Sequence, residues 1–421
     1  MSTFWRHVLT VLTGALAAQA LPILAAPLIT RLCTPAQLGA FSVWLGIVAV
    51  AAIGATLRLE TAMILDHGAA GQRTCFSVVA CSASWLALLL TLAAAAGHRA
   101  GIAPFAQLSW PAVLSLGVGA WLTACMQTML AYATSHRAFG RAAKAKVWAA
   151  GTIALAQLAL LDAGADAQGL LTGQLLGLAT GLAAAYWLLR PPLPRLRLLP
   201  DARQRRYLRK HQAFWRYSLA ANLLNAGVGQ FPLLLVGARY GAPAAGLLAL
   251  TQRVLAAPIS LLAASVLEVF KRQSVQEFET DGHCTRAYRH TLRSLLLLGA
   301  PPSLLLLFTA PYLFALAFGA PWRAAGELAQ LLVPLYFLNF VASPLSYVFY
   351  VAGQQKPELA WQIVLFIMTL AAFALPATLR GCVLAYAIGY SLLYLVYLQM
   401  SYRYARNRRG QRPAASLERP S

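Results

Sequence analysis

The sequence predicts an all-α integral membrane protein. It has about twelve transmembrane helices, in two six-helix bundles related by a pseudo-twofold axis along the membrane normal. Three observations predict this. Long uncharged stretches recur: no Asp, Glu, Lys or Arg lies between Arg6 and Arg31, between Arg31 and Arg58, or between Arg380 and Arg403. A helix needs about 20 apolar residues to cross a hydrocarbon core. The composition agrees, with 59% hydrophobic and 11% charged residues, against about 25% charged in soluble domains. The basic residues also alternate in side. Arg31, Arg99, Arg239, Arg323 and Arg380 fall on one side, Arg253 lies within a span, and all the other Lys and Arg fall on the opposite side. That bias places both termini in the cytoplasm.

The spans read as 8–30, 38–57, 74–97, 109–134, 146–162, 167–189, 214–238, 245–268, 292–318, 325–352, 358–378 and 381–401. Arg6, an apolar run and Ala18-Gln19-Ala20 have the outline of a cleaved leader. The run continues past Pro22 and Pro27 to Thr30, however, so it is the first span. The stretch before Ser135 is long, and Pro104 and Pro111 bracket a loop ahead of the fourth span. The fifth span is the shortest, with Lys144 and Lys146 at its edge, where long basic side chains reach back to the interface. Residues 271–290 extend span eight beyond the membrane and return.

The chain divides into an N-terminal six-helix bundle (1–189), a basic linker (190–213), a C-terminal six-helix bundle (214–401) and a basic tail (402–421). The two bundles open alike. Arg31, Pro35 and Gly39 follow span one; Arg239, Pro243 and Gly246 follow span seven. An even number of spans per half gives a parallel repeat, with a substrate site expected between the halves near the midplane.

Several function classes are excluded. The net charge of +22 is a topology signal and an attraction to anionic headgroups, not a nucleic-acid footprint. The short loops at 31–37, 239–244, 319–324 and 379–380 leave no room for a catalytic domain, so the chain is not expected to be an enzyme. No Gly-rich Lys-Ser/Thr loop is present for nucleotide phosphates. Active transport would draw on an H+ or Na+ gradient, or on substrate supply. Cys33, Cys75, Cys81, Cys125, Cys284 and Cys382 form no CxxC pair and read as small buried hydrophobes. Neither a metal nor a cofactor is expected.

Motifs then narrow the reading. Leu9 through Gly14, Gln19 and Pro22, then Pro27 to Arg31, Pro35 and Gly39, form one element. Arg58-Leu-Glu60-Thr-Ala62 is a second, and Ala245-Gly-Leu through Arg253-Val-Leu-Ala-Ala-Pro258 a third. Phe318-Gly, Trp322 and Ala325-Gly326 precede span ten, and Ser343-Pro-Leu-Ser346 lies within it. In order and spacing these resemble the polysaccharide transporter family of the multidrug/oligosaccharidyl-lipid/polysaccharide exporter superfamily, the O-antigen-type flippases. Leu59 stands where that family usually has an aromatic residue. The resemblance is strong over spans one, two, seven, eight and ten, and thin elsewhere. It implies an inner-membrane protein moving an undecaprenyl-pyrophosphate-linked oligosaccharide to the periplasmic leaflet. The implied product is lipopolysaccharide O-antigen, capsule or exopolysaccharide, with polymerase and assembly proteins as partners. The alternative is a cation-coupled multidrug or small-solute antiporter of the same superfamily.

Candidate site residues follow from the headgroup. A sugar pyrophosphate crossing hydrocarbon needs polar, cationic partners, and a guanidinium fork fits phosphate oxygens. Arg253, about 10 Å along its helix from Gly246, either meets that headgroup or pairs with backbone carbonyls or Glu268. Arg58 either meets it on entry or pairs with Glu60. Asn222, Asn225, Gln230, Gln19 and Gln252 either line the cavity or bond between helices. Glu60 and Glu268 lie at nearly the same distance past Gly39 and Gly246. They read either as gating or proton-coupling carboxylates or as interfacial residues. Pro22, Pro27, Pro232, Pro258, Pro302, Pro334 and Pro344 are expected to kink their helices.

Overall fold

The computed structural model describes residues 21–65, 68–192, 201–258 and 262–406, and among these every regular element is helical. Fifteen helices follow in order. They are α1 (Leu21–Leu32), α2 (Pro35–Thr56), α3 (Leu59–Leu65), α4 (Ala69–Arg99), α5 (Trp110–Ser135), α6 (Phe139–Asp162), α7 (Asp166–Leu189) and α8 (Ala202–Lys210), then α9 (Leu219–Pro258), α10 (Ala264–Asp281), α11 (Thr285–Phe318), α12 (Arg323–Leu345), α13 (Val348–Val351), α14 (Gln355–Ala374) and α15 (Leu379–Arg406). Ten stretches are long and apolar enough to span a bilayer. Their outer faces carry large apolar side chains in the open: Leu297 is 75% exposed, Phe308 76% and Leu375 80%. In water such faces would aggregate; against lipid tails they are solvated.

Two elements differ from the sequence expectation. The turn expected at 239–244 between spans seven and eight is not one of them: α9 comprises two helices that meet at Gly241 (φ 87°, ψ 173°), a conformation that glycine alone adopts cheaply. The fifth span was expected to start at residue 146; α6 starts at Phe139 and carries Arg141, Lys144 and Lys146 exposed on its first turns. The basic linker contains α8, capped by the Asp201–Gln204 box. Gln204 and Tyr207 bury one face of α8, with Gln204 Nε2 donating to Ser77 Oγ at 2.6 Å. The extension of span eight is present: α10 reaches Asp281 and ends on left-handed Gly282. Residues 8–20 of the first expected span, Gln19 among them, lie outside the described residues. Five of the six cysteines are buried and Cys125 is half-buried.

The helices group into two compact units. The first comprises the chain up to Ala249 together with Ala315–Trp322; the second comprises Leu250–Phe314 and Arg323 onward. In the first unit, Thr34 and Gln37 form a capping box that starts α2, and Gln37 Nε2 reaches Asp166 Oδ1 at 2.9 Å. Helices α6 and α7 meet along Gly169, Gly173, Gly177 and Gly181, spaced four apart. A Cβ at Gly177 would stand 2.1 Å from Ile153 Cγ1. Small residues at this spacing let helix backbones approach in lipid, and Gln157 Nε2 adds a bond to Leu170 O at 2.9 Å.

A second close approach joins the two repeat glycines. A Cβ on Gly39 would lie 1.7 Å from Ala242 O, and one on Gly246 would lie 1.9 Å from Pro35 O. The contact is reciprocal, since each glycine faces the carbonyl four residues before the other. Local pseudo-twofold symmetry is the geometry that a repeated turn produces. Nearby, Trp322 is fully buried and donates Nε1 to Thr30 O at 2.9 Å. Arg31 Nη2 donates to Leu316 O at 2.9 Å.

In the second unit, α15 packs on α12 and α14. Its tyrosines form a column, with ring centroids 5.0 Å apart for Tyr386–Tyr390 and 5.2 Å for Tyr390–Tyr394. Trp361 caps that column 4.5 Å from Tyr397. Thr251 Oγ1 donates to Ala325 O at 2.8 Å, and Gln330 Nε2 to Leu307 O at 2.8 Å. Where α10 turns into α11, both oxygens of Glu277 accept backbone N–H groups, from Arg286 at 2.8 Å and Ala287 at 2.7 Å. Burial, reinforced by that carboxylate, pushes the Cys284 thiol up to about 12.

Two outcomes follow. Gly39→Ala and Gly246→Ala each lower stability by about 1–3 kcal/mol through overpacking, whereas Gly151→Ala, with open space around it, does not; thermal unfolding in detergent reads the difference. Because the raised Cys284 pKa suppresses the thiolate, maleimide leaves Cys284 unmodified at pH 8 until the protein is denatured. Peptide mapping checks this.

Candidate functional site

Helix α2 ends where the chain turns left-handed at two consecutive residues, Leu57 (φ 51°) and Arg58 (φ 58°). Neither is glycine, and left-handed backbone costs such residues about 1–2 kcal/mol each. The Leu57 N–H donates to Gly54 O at 3.2 Å, and the Arg58 N–H to Thr56 Oγ1 at 3.3 Å. This corner throws the start of α3 back against α4 and α5. The interior therefore receives Leu59, fully buried, and Glu60, 7% exposed.

Arg58 Nη1 and Glu60 Oε1 are 2.9 Å apart. The Glu60 side chain is 9% exposed and that of Arg58 28%. Glu60 Oε2 and Arg58 Nε are both buried without a hydrogen-bond partner among the described residues. Each ion thus keeps spare bonding capacity in a place where leaving it unused is costly. Both line a cavity of about 370 Å³ whose walls include Thr61 and Gln127. Gln127 went unread in the sequence. Its signal was available: it is the one amide side chain in the uncharged stretch from Ser109 to Ser135.

Helix α3 also packs on a five-residue π turn, Phe214–Ser218, which leads into α9. Widened turns of this kind recur at functional sites. From there Ser218, Asn222, Asn225 and Gly229 follow one another on one face of α9. Asn222 is half-buried and donates Nδ2 to Ser218 O at 2.8 Å. Asn225 is exposed; an amide open on a membrane helix is satisfied by water or a polar ligand, not by lipid. Gln230 is half-buried, with Oε1 against Gly46 of α2. The first unit thus gathers Arg58, Glu60, Gln127 and the base of α9 within mutually packed elements.

The remaining candidates belong to the second unit. Gln252 and Arg253 are half-buried on α9. Arg253 stands two residues past buried Thr251, about 200° around the helix from the face that bonds α12. Glu268 lies within one residue of the register of Glu60 but not in the same surroundings: its side chain is 72% exposed and pairs with Lys271 at 2.8 Å, one turn on.

With this geometry in view, the fold can be compared with known structures. Lipid II flippase MurJ in an inward closed conformation superposes with a TM-score of 0.70 at 14% identity, over 93% of this chain and 87% of that one. An inward-facing multidrug resistance MATE family transporter of the MOP superfamily gives 0.66 at 17% identity, over 92% and 94%. A MOP superfamily transporter from Pyrococcus furiosus gives 0.56 at 16% identity, over 95% of each chain. The fold is that of the MOP transporters. At the level of sequence, the family of polysaccharide biosynthesis proteins matches residues 28–327, and the chain belongs to that family, in agreement with the motifs around Gly39, Arg58 and Arg253. Among curated protein sequences none is significantly similar to this chain.

Arg58→Ala strands the buried Glu60 carboxylate and lowers stability by about 1–3 kcal/mol. The paired change Arg58→Met with Glu60→Met restores most of it, because two apolar groups leave no charge behind. A double-mutant cycle by thermal unfolding measures this; equal losses in the single and paired variants would refute it.

Proposed function

We propose that this protein is a flippase that moves undecaprenyl-pyrophosphate-linked oligosaccharide from the cytoplasmic to the periplasmic leaflet of a bacterial inner membrane by alternating access. The cargo is the repeat unit of an O-antigen, capsule or exopolysaccharide, and both termini are cytoplasmic. One observation carries the reading: a guanidinium whose buried Nε has no partner among the described residues lines a cavity at the end of spans two and four, within a polysaccharide biosynthesis family member. Pyrophosphate supplies the acceptors that Arg58 lacks. Asn222, Asn225 and Gln127 supply amides for sugar hydroxyls, and Arg253 and Gln252 supply a second polar station on α9. The lipid tail remains in the bilayer. MurJ is a lipid II flippase of the same fold, which supports a lipid-linked cargo. Polysaccharide polymerase and assembly proteins are the natural partners, since they consume the flipped unit.

The carboxylate carries a second reading. Glu60 Oε2 is a buried acceptor without a partner among the described residues, and such a group can take up H+ or Na+ as a coupling ion. With a MATE transporter among the similar folds, this keeps a cation-coupled antiporter as the alternative.

Complementation of a bacterium lacking its own O-antigen flippase separates the two. Wild type restores surface polysaccharide when the native sugar pathway is co-expressed. Arg58→Ala and Arg253→Ala, at equal membrane abundance, reduce it at least about tenfold, the loss expected for one charge-assisted contact of roughly 1.5–3 kcal/mol. Absence of rescue together with drug efflux in the same strain would establish the antiporter.

A further inference from the structure

Away from the Arg58 cavity, the end of the first unit that bears the basic loops has a second cavity, of about 380 Å³. Its walls are Tyr132, His136, Ala138, Arg141 and Leu189. These come from the last turn of α5, the turn into α6, the first turn of α6 and the last turn of α7. Among the described residues no carboxylate lines it. Around the rim, Arg137, Lys144 and Arg190 are exposed, with Arg137 and Arg190 both held at left-handed φ (54° and 47°).

Two independent features place this cavity at a headgroup layer. Trp148, two turns along α6 from Arg141, is 64% exposed, and Trp187, on the last turn of α7, is 72% exposed. Exposed tryptophans at the ends of membrane helices mark the interface between hydrocarbon and water. The second feature is α8. Tyr207 buries into the same apolar cluster as Tyr132 and Leu189, two of the cavity's walls. Anchored there, α8 holds Arg203, Arg205, Arg206, Arg209 and Lys210 exposed. A nine-residue segment with five outward cations has a cost in self-repulsion that an anionic surface removes.

We propose that the Arg141–His136 cavity is a binding site for the phosphate of an anionic phospholipid, with α8 as a lid of positive charge that recruits it. Arg141 and His136 contact the phosphodiester, Tyr132 and Leu189 contact the glycerol and first methylenes, and the acyl chains descend beside Trp148 and Trp187. Its walls share no residue with those of the Arg58 cavity.

The test uses the full-length protein in nanodiscs of phosphatidylcholine into which phosphatidylglycerol is titrated, with bound lipid counted by native mass spectrometry after partial delipidation. Wild type retains phosphatidylglycerol over phosphatidylcholine. Arg141→Gln with His136→Gln weakens that retention by at least about fivefold, the effect of one interfacial cation. Arg205→Gln, which keeps the cavity intact, retains the lipid at wild-type occupancy at saturating phosphatidylglycerol. Equal retention of the two lipids by wild type, or unchanged selectivity in the cavity variant, overturns the proposal. So does retention of added undecaprenyl phosphate with no retention of phosphatidylglycerol, which would assign the cavity to a polyprenyl headgroup. Both variants change exposed side chains only, and circular dichroism verifies the fold.

Discussion

In a hydrocarbon solvent, a leucine gains little by leaving lipid for another leucine, so helices are held together by close approach and by polar bonds. The first unit depends on that constraint. Among its close contacts are places where a glycine leaves no room for a side chain: Gly39 against Gly246, Gly117 against α4, and Gly173, Gly177 and Gly181 of α7 against α6. Dispersion between backbones at such distances is dense, and the few polar side chains in the seam, such as Gln157 on Leu170 O, fix the register. The outer faces are left to leucine and phenylalanine. Glycine inside and bulky residues outside invert the rule of soluble proteins, and the inversion follows from the solvent.

The Arg58–Glu60 pair sits within this dry packing as a deliberate exception. Two consecutive non-glycine residues in left-handed backbone are tolerated because the surrounding helices hold them, and such strain accumulates where function needs a side chain in an awkward place. Without the corner, α2 would continue straight and Glu60 would point along a membrane helix. With it, the carboxylate turns inward and meets the guanidinium. Neither ion is saturated, so the pair is stable enough to persist and incomplete enough to exchange partners with an incoming anion.

Much of the fold was legible in the sequence, because a bilayer imposes a length that no other environment does. Span existence, the alternating basic loops, the extension of span eight and the Arg/Pro/Gly repeat all rest on local pattern. Boundaries were less legible. The fifth span was expected from residue 146, whereas α6 starts at Phe139: Arg141, Lys144 and Lys146 read as loop charges, yet Arg and Lys are good helix formers. The Arg58–Glu60 pairing was readable as one of two outcomes from spacing alone. Which outcome holds depends on the left-handed corner, and nothing in Thr-Leu-Arg-Leu-Glu announces one. Gln127 stood out only as the lone amide of its uncharged stretch, and one polar residue does not say which face of a helix meets a cavity. The different fates of Glu60 and Glu268 were invisible for a deeper reason: register is a property of the chain, and burial is a property of its neighbours.

The reciprocal contact between Gly39 and Gly246 constrains how this sequence can drift. In most packed seams a larger residue on one side is accommodated by a smaller one opposite, and lineages wander along such exchanges. Here each glycine meets a main-chain oxygen near the other, and glycine has nothing left to shed. No substitution at either position opens room for a change at the other. The two sites are therefore coupled through the main chain, and a larger residue at either one has to move backbone, not a neighbouring side chain.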